Sequence, residues 1–213
     1  MMSKNINQIT SYFDKLFPNV GTELTYKTDY ELLIAVMLSA QTTDVAVNKV
    51  TDVLFTKFKT LDELANADIK EVEECIKSIG LYKTKAKNVI AIAQMLINNF
   101  ASKVPIEKKD LLTLPGVGNK TANVVRAELF KIPEIAVDTH VSRISKRLGL
   151  ANEKDSPDQV EAKLRKIIPV ESYISFHHQA IHFGRYFCQA RTPRCYECEL
   201  VNICKEKNKR LTP

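Results

Sequence analysis

The chain has 213 residues, 45% apolar and 26% charged, with a formal net charge of +6. That composition excludes a disordered or collagenous chain and leaves enough length for one sizeable core or two modest ones. The longest apolar run, 32–38, is far too short to cross a bilayer, and no apolar segment follows Met1-Met2-Ser3-Lys4-Asn5, so a soluble cytoplasmic protein is expected.

The periodicity is helical almost throughout. Ile6, Ile9, Phe13, Leu16 and Phe17 form a first apolar stripe, and Val47, Val50, Leu54 and Phe58 a second. Val72, Cys75, Ile76 and Ile79 repeat at the same spacing, which makes Cys75 a small core residue. A longer stripe runs through Ala86, Val89, Ala93, Leu96, Ile97 and Phe100. Asp29, Asp44 and Asp68 mark helix starts, and Ser156-Pro157-Asp158-Gln159 combines a cap, a first-turn proline and a capping-box glutamine. Gly80 and Gly149 stand where helices should stop. The segment Ile132-Pro133-Glu134-Ile135-Ala136-Val137 is apolar but too isolated to build a sheet. The fold class is therefore all-α, with roughly nine or ten helices of ordinary length. One faint echo exists: Lys85-Ala86-Lys87-Asn88-Val89-Ile90 is similar to Lys120-Thr121-Ala122-Asn123-Val124-Val125, without the glycines of the second copy, and reads as similar helix packing.

Charge is unevenly placed. Residues 1–137 carry a net +1, whereas residues 138–213 carry +5 and seven of the eight arginines. A mildly basic chain is ordinarily just soluble. Arginine gathered into one third of the chain favours a phosphate-binding face, because guanidinium grips phosphate bidentately.

Four of the five cysteines, Cys188, Cys195, Cys198 and Cys204, fall within seventeen residues as C-x6-C-x2-C-x5-C. In a reducing compartment this is a metal site rather than a disulfide framework. On spacing alone, four thiolates without histidine suit zinc and an iron–sulfur cluster equally.

Leu111-Leu112-Thr113-Leu114-Pro115-Gly116-Val117-Gly118-Asn119-Lys120-Thr121-Ala122 reads as a short helix, a tight turn with two glycines, and a second helix beginning near Asn119. Gly116 and Gly118 let backbone approach another molecule, and the amides opening the second helix form a phosphate cradle. A helix hairpin with glycine turn chemistry and no ligand fits the same spacing. Lys120 sits at the mouth of the cradle, either as an exposed lysine or phosphate clamp, or as a nucleophile. Asp138, in Val137-Asp138-Thr139-His140, is either a helix cap or a catalytic carboxylate. A lysine amine and a carboxylate beside a phosphate site together suit nucleophilic attack and Schiff-base chemistry.

These segments resemble the endonuclease III family of helix-hairpin-helix DNA glycosylases. The similarity is carried by LPGVGNKTANVV, by AVDTH and by the four-cysteine tail. Ser39-Ala40-Gln41-Thr42-Thr43-Asp44, Ile79-Gly80-Leu81-Tyr82 and His182-Phe183-Gly184-Arg185-Tyr186 extend it, so that it spans residues 5–204 in order. Asn119 departs from the pattern where a basic residue is frequent, which weakens one phosphate contact. The resemblance implies two helical domains with an active-site cleft between them. One is a six-helix barrel over 22–132, with its hairpin at about 108–130; the other is an iron–sulfur cluster domain from 1–21 and 133–213. It implies one [4Fe–4S] cluster on Cys188, Cys195, Cys198 and Cys204. It further implies a monomer that removes oxidised pyrimidines from double-stranded DNA and cuts at abasic sites.

By the same analogy Lys120 is the nucleophile and Asp138 its assisting carboxylate, acting on a nucleotide turned out of the helix. Gln41 and Leu81 fill the gap it leaves, although core packing for Leu81 and helix termination for Gln41 are the plainer readings of those residues. Gly116, Gly118, His140, Arg143, Arg185, Arg191 and Arg194 are the further candidate DNA contacts, with Arg147 beside them, and some of these arginines are expected to be ordinary surface residues. His177, His178 and His182 are read as structural. An adenine–mismatch glycosylase is the nearest competitor, but it generally lacks a lysine at position 120 and carries a further carboxy-terminal domain. A non-enzymatic DNA-binding protein with structural zinc is the competitor from another class, and it leaves the pairing of Lys120 with Asp138 unexplained.

Overall fold

The computed structural model describes the backbone of residues 2–213 and the side chains of residues 5–213. Among the described residues there are eleven α-helices and no strand. They are α1 (Met2–Leu16), α2 (Asp29–Leu38), α3 (Asp44–Lys57), α4 (Leu61–Ala65), α5 (Ile69–Ile76), α6 (Tyr82–Phe100), α7 (Lys108–Leu111), α8 (Asn119–Phe130), α9 (Thr139–Arg147), α10 (Pro157–Ile167) and α11 (Tyr173–His182). The excess over nine or ten comes from one-turn elements such as α4 and α7, which are too short to show a periodicity. No helix is long and apolar enough to cross a membrane among the described residues.

The chain forms two compact units, Glu23–Phe130, and Met1–Thr22 together with Lys131–Pro213. In the first, α2 is the central helix, packed by α3, α6 and α8. Leu32, Leu33, Ile34, Ala35 and Leu38 are wholly buried, which is why this helix is apolar on every side rather than striped. Each such leucine contributes about 2 kcal/mol by the area it removes from water. In the second unit α1 packs on α11, and Ile6, Ile9 and Phe13 join Ile144, Leu164, Phe176 and Phe183 in one core. Phe13 packs at a tilt against both Phe176 and Phe183, at 5.7 and 5.0 Å between ring centres.

Helix starts follow capping chemistry. α2 and α3 begin at Asp29 and Asp44 as read, and the residues before them, Thr28 and Thr43, are the caps, accepting from the Glu31 and Ala46 amides. The two aspartates open the first turns, where negative charge meets the positive helix end. Asp68 caps α5 as expected, and Ser156 with Gln159 forms a complete capping box on α10. Gly149 ends α9 in the left-handed conformation, at φ 72°. Gly80 does not play that part: α5 ends at Ile76, and the left-handed residue is Leu81, at φ 59°.

Candidate active site

The hairpin is α7, a turn through Leu114–Val117, and α8. Val117 N–H donates to Leu114 O at 3.1 Å, closing a turn with Pro115 second and Gly116 third. Gly116 has φ 77°, the left-handed value that this position of a type II turn demands. A Cβ there would also lie 2.5 Å from Asn88 Nδ2 on α6. Gly118 is different. It is exposed, its φ is not left-handed, and a Cβ would meet nothing within 4 Å. Its carbonyl accepts Ala122 N–H at 2.9 Å, so α8 springs directly from it and the first amides of the helix have no carbonyl within the helix to donate to. Lys120, half-buried, stands in that first turn.

In the same unit Gln41 and Leu81 are exposed, and both are left-handed without being glycine, at φ 55° and 59°. Leu81 is 63% exposed, so core packing does not explain it.

In the other unit the segment 131–138, which has no regular secondary structure, brings Ile135, Ala136 and Val137 into the core. Buried His177 anchors it, its Nδ1 lying 2.9 Å from Ala136 O and 3.2 Å from Ala136 N. Asp138 follows directly and caps α9, Oδ1 accepting Val141 N–H at 2.7 Å. His140, in the first turn of α9, packs against Gly184, where a Cβ would lie 3.0 Å from His140 Cβ. Burial pulls the His140 imidazole below its usual pKa; Asp138 opposes this, and the Arg143 and Arg185 charges add to it. His182 Nε2 lies 3.3 Å from Gly21 O, and His178 is buried against His177.

The arginines divide. Arg143 turns inward, donating through Nη2 to Gly184 O at 2.7 Å and Cys188 O at 3.3 Å. Arg147 clamps the loop after Cys188, donating to Gln189 O, Ala190 O, Cys188 Sγ and Glu206 Oε2. Arg194 pairs with Glu197 and lies over the Phe187 ring, Arg185 is half-buried, and Arg191 is exposed. Spacing could not separate these cases, because an arginine reaching inward and one reaching outward look alike in sequence.

Cys188, Cys195, Cys198 and Cys204 all line one cavity, walled by Ile144, Leu148 and Phe183. Burial raises the Cys188 thiol, which Arg147 opposes, and pushes Cys198 up to about 11. Among the described residues no three His, Cys, Asp or Glu side chains are arranged as ligands of one metal ion. The donor chemistry nevertheless fits an iron–sulfur cluster, since four soft sulfurs, and no histidine, face a common space with an apolar wall. Cys75 is half-buried, its thiol raised by burial.

Residues 34–170 match the HhH-GPD superfamily of base excision DNA repair proteins. The chain is 46% identical to endonuclease III of Bacillus subtilis (strain 168), over 97% of this chain and 95% of that protein. The chain belongs to the endonuclease III family. It is 44% identical to the Escherichia coli K12 endonuclease III over 90% of both chains. Among solved structures it superposes with a TM-score of 0.92 and 46% identity on a trapped endonuclease III–DNA covalent intermediate, covering 95% of each chain. A thermostable thymine-DNA glycosylase at 24% identity shares the fold, with a TM-score of 0.82. This endonuclease III-family chain is accordingly a base excision repair DNA glycosylase, with the N-glycosylase and AP lyase class of activity.

Proposed function

We propose that the chain removes oxidised pyrimidines from double-stranded DNA through a Schiff base on Lys120, and then cuts the strand by β-elimination. The observation that carries this is the placement of Lys120 in the first turn of α8, two residues beyond the exposed, unobstructed Gly118. Support comes from a 46% identical relative captured as a covalent intermediate with DNA.

The damaged nucleotide leaves the stack, and the amide cradle at Gly116–Lys120 holds a backbone phosphate. The Lys120 amine attacks C1′, and the glycosidic bond breaks with its electron pair going to the base, which takes up a proton. The sugar ring then opens as nitrogen forms the imine. Loss of a C2′ proton places a double bond between C2′ and C3′ and expels the 3′ phosphate, and water releases the lysine. Asp138 stabilises the positive charge that develops on the sugar. A [4Fe–4S] cluster held by Cys188, Cys195, Cys198 and Cys204 would supply cross-linking of the loop that presents Arg191 and Arg194. Gln41 and Leu81 occupy the space vacated by the nucleotide, and His140 and Arg185 approach the phosphates.

The test is Lys120→Gln. An amine nucleophile leaves an imine that borohydride reduces to a stable protein–DNA adduct. The variant should lose base release and trapping together while keeping its fold and most of its DNA affinity. Excision at the wild-type rate by this variant would make the lysine a phosphate clamp and overturn the reading.

A further inference from the structure

Lys85 is a buried cation that the proposed reaction does not use. It lies in the first turn of α6 and is only 5% exposed. Its Nζ donates to Leu38 O at 2.8 Å, to Ala40 O at 2.8 Å and to Thr42 Oγ1 at 2.9 Å. Leu38 is the last residue of α2, and Ala40 and Thr42 stand on either side of Gln41. The Thr42 hydroxyl in turn reaches Ala40 O at 3.3 Å, so the two carbonyls, the hydroxyl and the ammonium make one closed network around the turn. The backbone N–H of Lys85 donates to Leu81 O at 3.0 Å. One residue therefore binds both exposed left-handed positions, Leu81 through its main chain and the flanks of Gln41 through its side chain.

That arrangement carries a cost. Burial lowers the Lys85 pKa, with desolvation as the cause. A buried ammonium is retained where its three donors are all engaged and what it orders is needed. What it ties down here are two separate loop positions with left-handed backbone and solvent-facing side chains, Gln41 and Leu81, and such backbone needs outside support to persist.

We infer that Lys85 is a positioning residue, which holds Gln41 and Leu81 as one rigid pair so that both enter the duplex together when the damaged nucleotide leaves it. This rests on the proposed function above, in which those two side chains fill the gap. A wedge prepositioned in the free protein does not have to be ordered at the moment of base extrusion, so the loss of Lys85 should fall on duplex substrates and spare those with no gap to fill.

The experiment compares two substrates for wild-type protein, Lys85→Met and Thr42→Val. The first is a duplex with one oxidised pyrimidine, carrying 2-aminopurine in the opposite strand beside the lesion. The second is a single-stranded oligonucleotide with a preformed abasic site. Lys85→Met keeps the aliphatic stem and removes the donors; it should slow duplex excision about tenfold or more and abolish the 2-aminopurine signal, leaving single-strand cleavage within about twofold. Thr42→Val removes only one partner and should slow duplex excision about threefold, again without change on the single strand. It keeps the comparison available should Lys85→Met not fold. In a Gln41→Gly background, which suits the left-handed angle, Lys85→Met should add less than its own separate effect. Equal losses on both substrates, or wild-type duplex excision in the folded variants, would overturn the proposal. Failure of the wild-type protein to excise any oxidised pyrimidine would instead count against the proposed function.

Discussion

The Asp138 carboxylate accepts the Val141 N–H at 2.7 Å, so the side chain proposed to assist catalysis is also the amino-terminal cap of α9. The two roles separate on substitution. Asp138→Asn keeps an oxygen for the cap and should melt near the wild-type temperature, whereas Asp138→Ala should lose about 1 kcal/mol of stability. Both should slow base release by roughly a hundredfold or more in single-turnover assays, the scale for losing a key electrostatic or proton-transfer group. Cleavage at a preformed abasic site should suffer less, since that sugar already offers an aldehyde to Lys120. Wild-type base release by Asp138→Asn would leave the cap as the only role.

The two hairpin glycines should fail in different ways. At Gly116 any side chain is held at φ 77° and meets Asn88, so Gly116→Ala should destabilise the fold by about 1–2 kcal/mol, measured by thermal or denaturant unfolding. Gly118 has open space and no left-handed strain. Gly118→Val should fold normally yet bind damaged and undamaged duplexes more weakly by a similar factor, because phosphate contacts carry no sequence information. Normal duplex affinity in Gly118→Val would make the turn a packing device.

The four thiols give a chemical prediction. Protein purified without oxygen should be brown, with roughly four irons and four sulfides per chain. Cys198→Ser should lose the cluster, the order of the loop and DNA affinity together. Stoichiometric zinc without sulfide would overturn the assignment.

His140 sets an acid limit. Its pKa lies below the ordinary 6.5 in the folded chain, through burial first and then the Arg143 and Arg185 charges. As pH falls below 6.5 the unfolded chain takes the proton before the folded one does, so stability present above that value is lost on the way down to the folded pKa. His140→Gln should therefore show a shallower fall in melting temperature between neutral and mildly acid pH. An unchanged slope would place the acid sensitivity elsewhere.

Most of the helices were legible because apolar stripes and caps are local, decided by residues three or four apart. The stripes at Ile6–Phe13 and Val47–Leu54 are buried as read, and the capping box at Ser156 is complete. The starts read at Asp29 and Asp44 are the first residues of α2 and α3, and the threonine before each supplies the cap.

The sequence by itself determined the helical class, the hairpin glycines, the cysteine spacing and the family to which the motifs belong. Only the tertiary structure decided where the long cations go. Arg143 and Arg147 reach inward to carbonyls more than forty positions away, and Lys85 reaches back to Leu38, Ala40 and Thr42, a span no local pattern encodes. A lysine or arginine has reach enough for either solvent or the interior, and what settles the choice is whether the packed chain leaves carbonyls within its reach there.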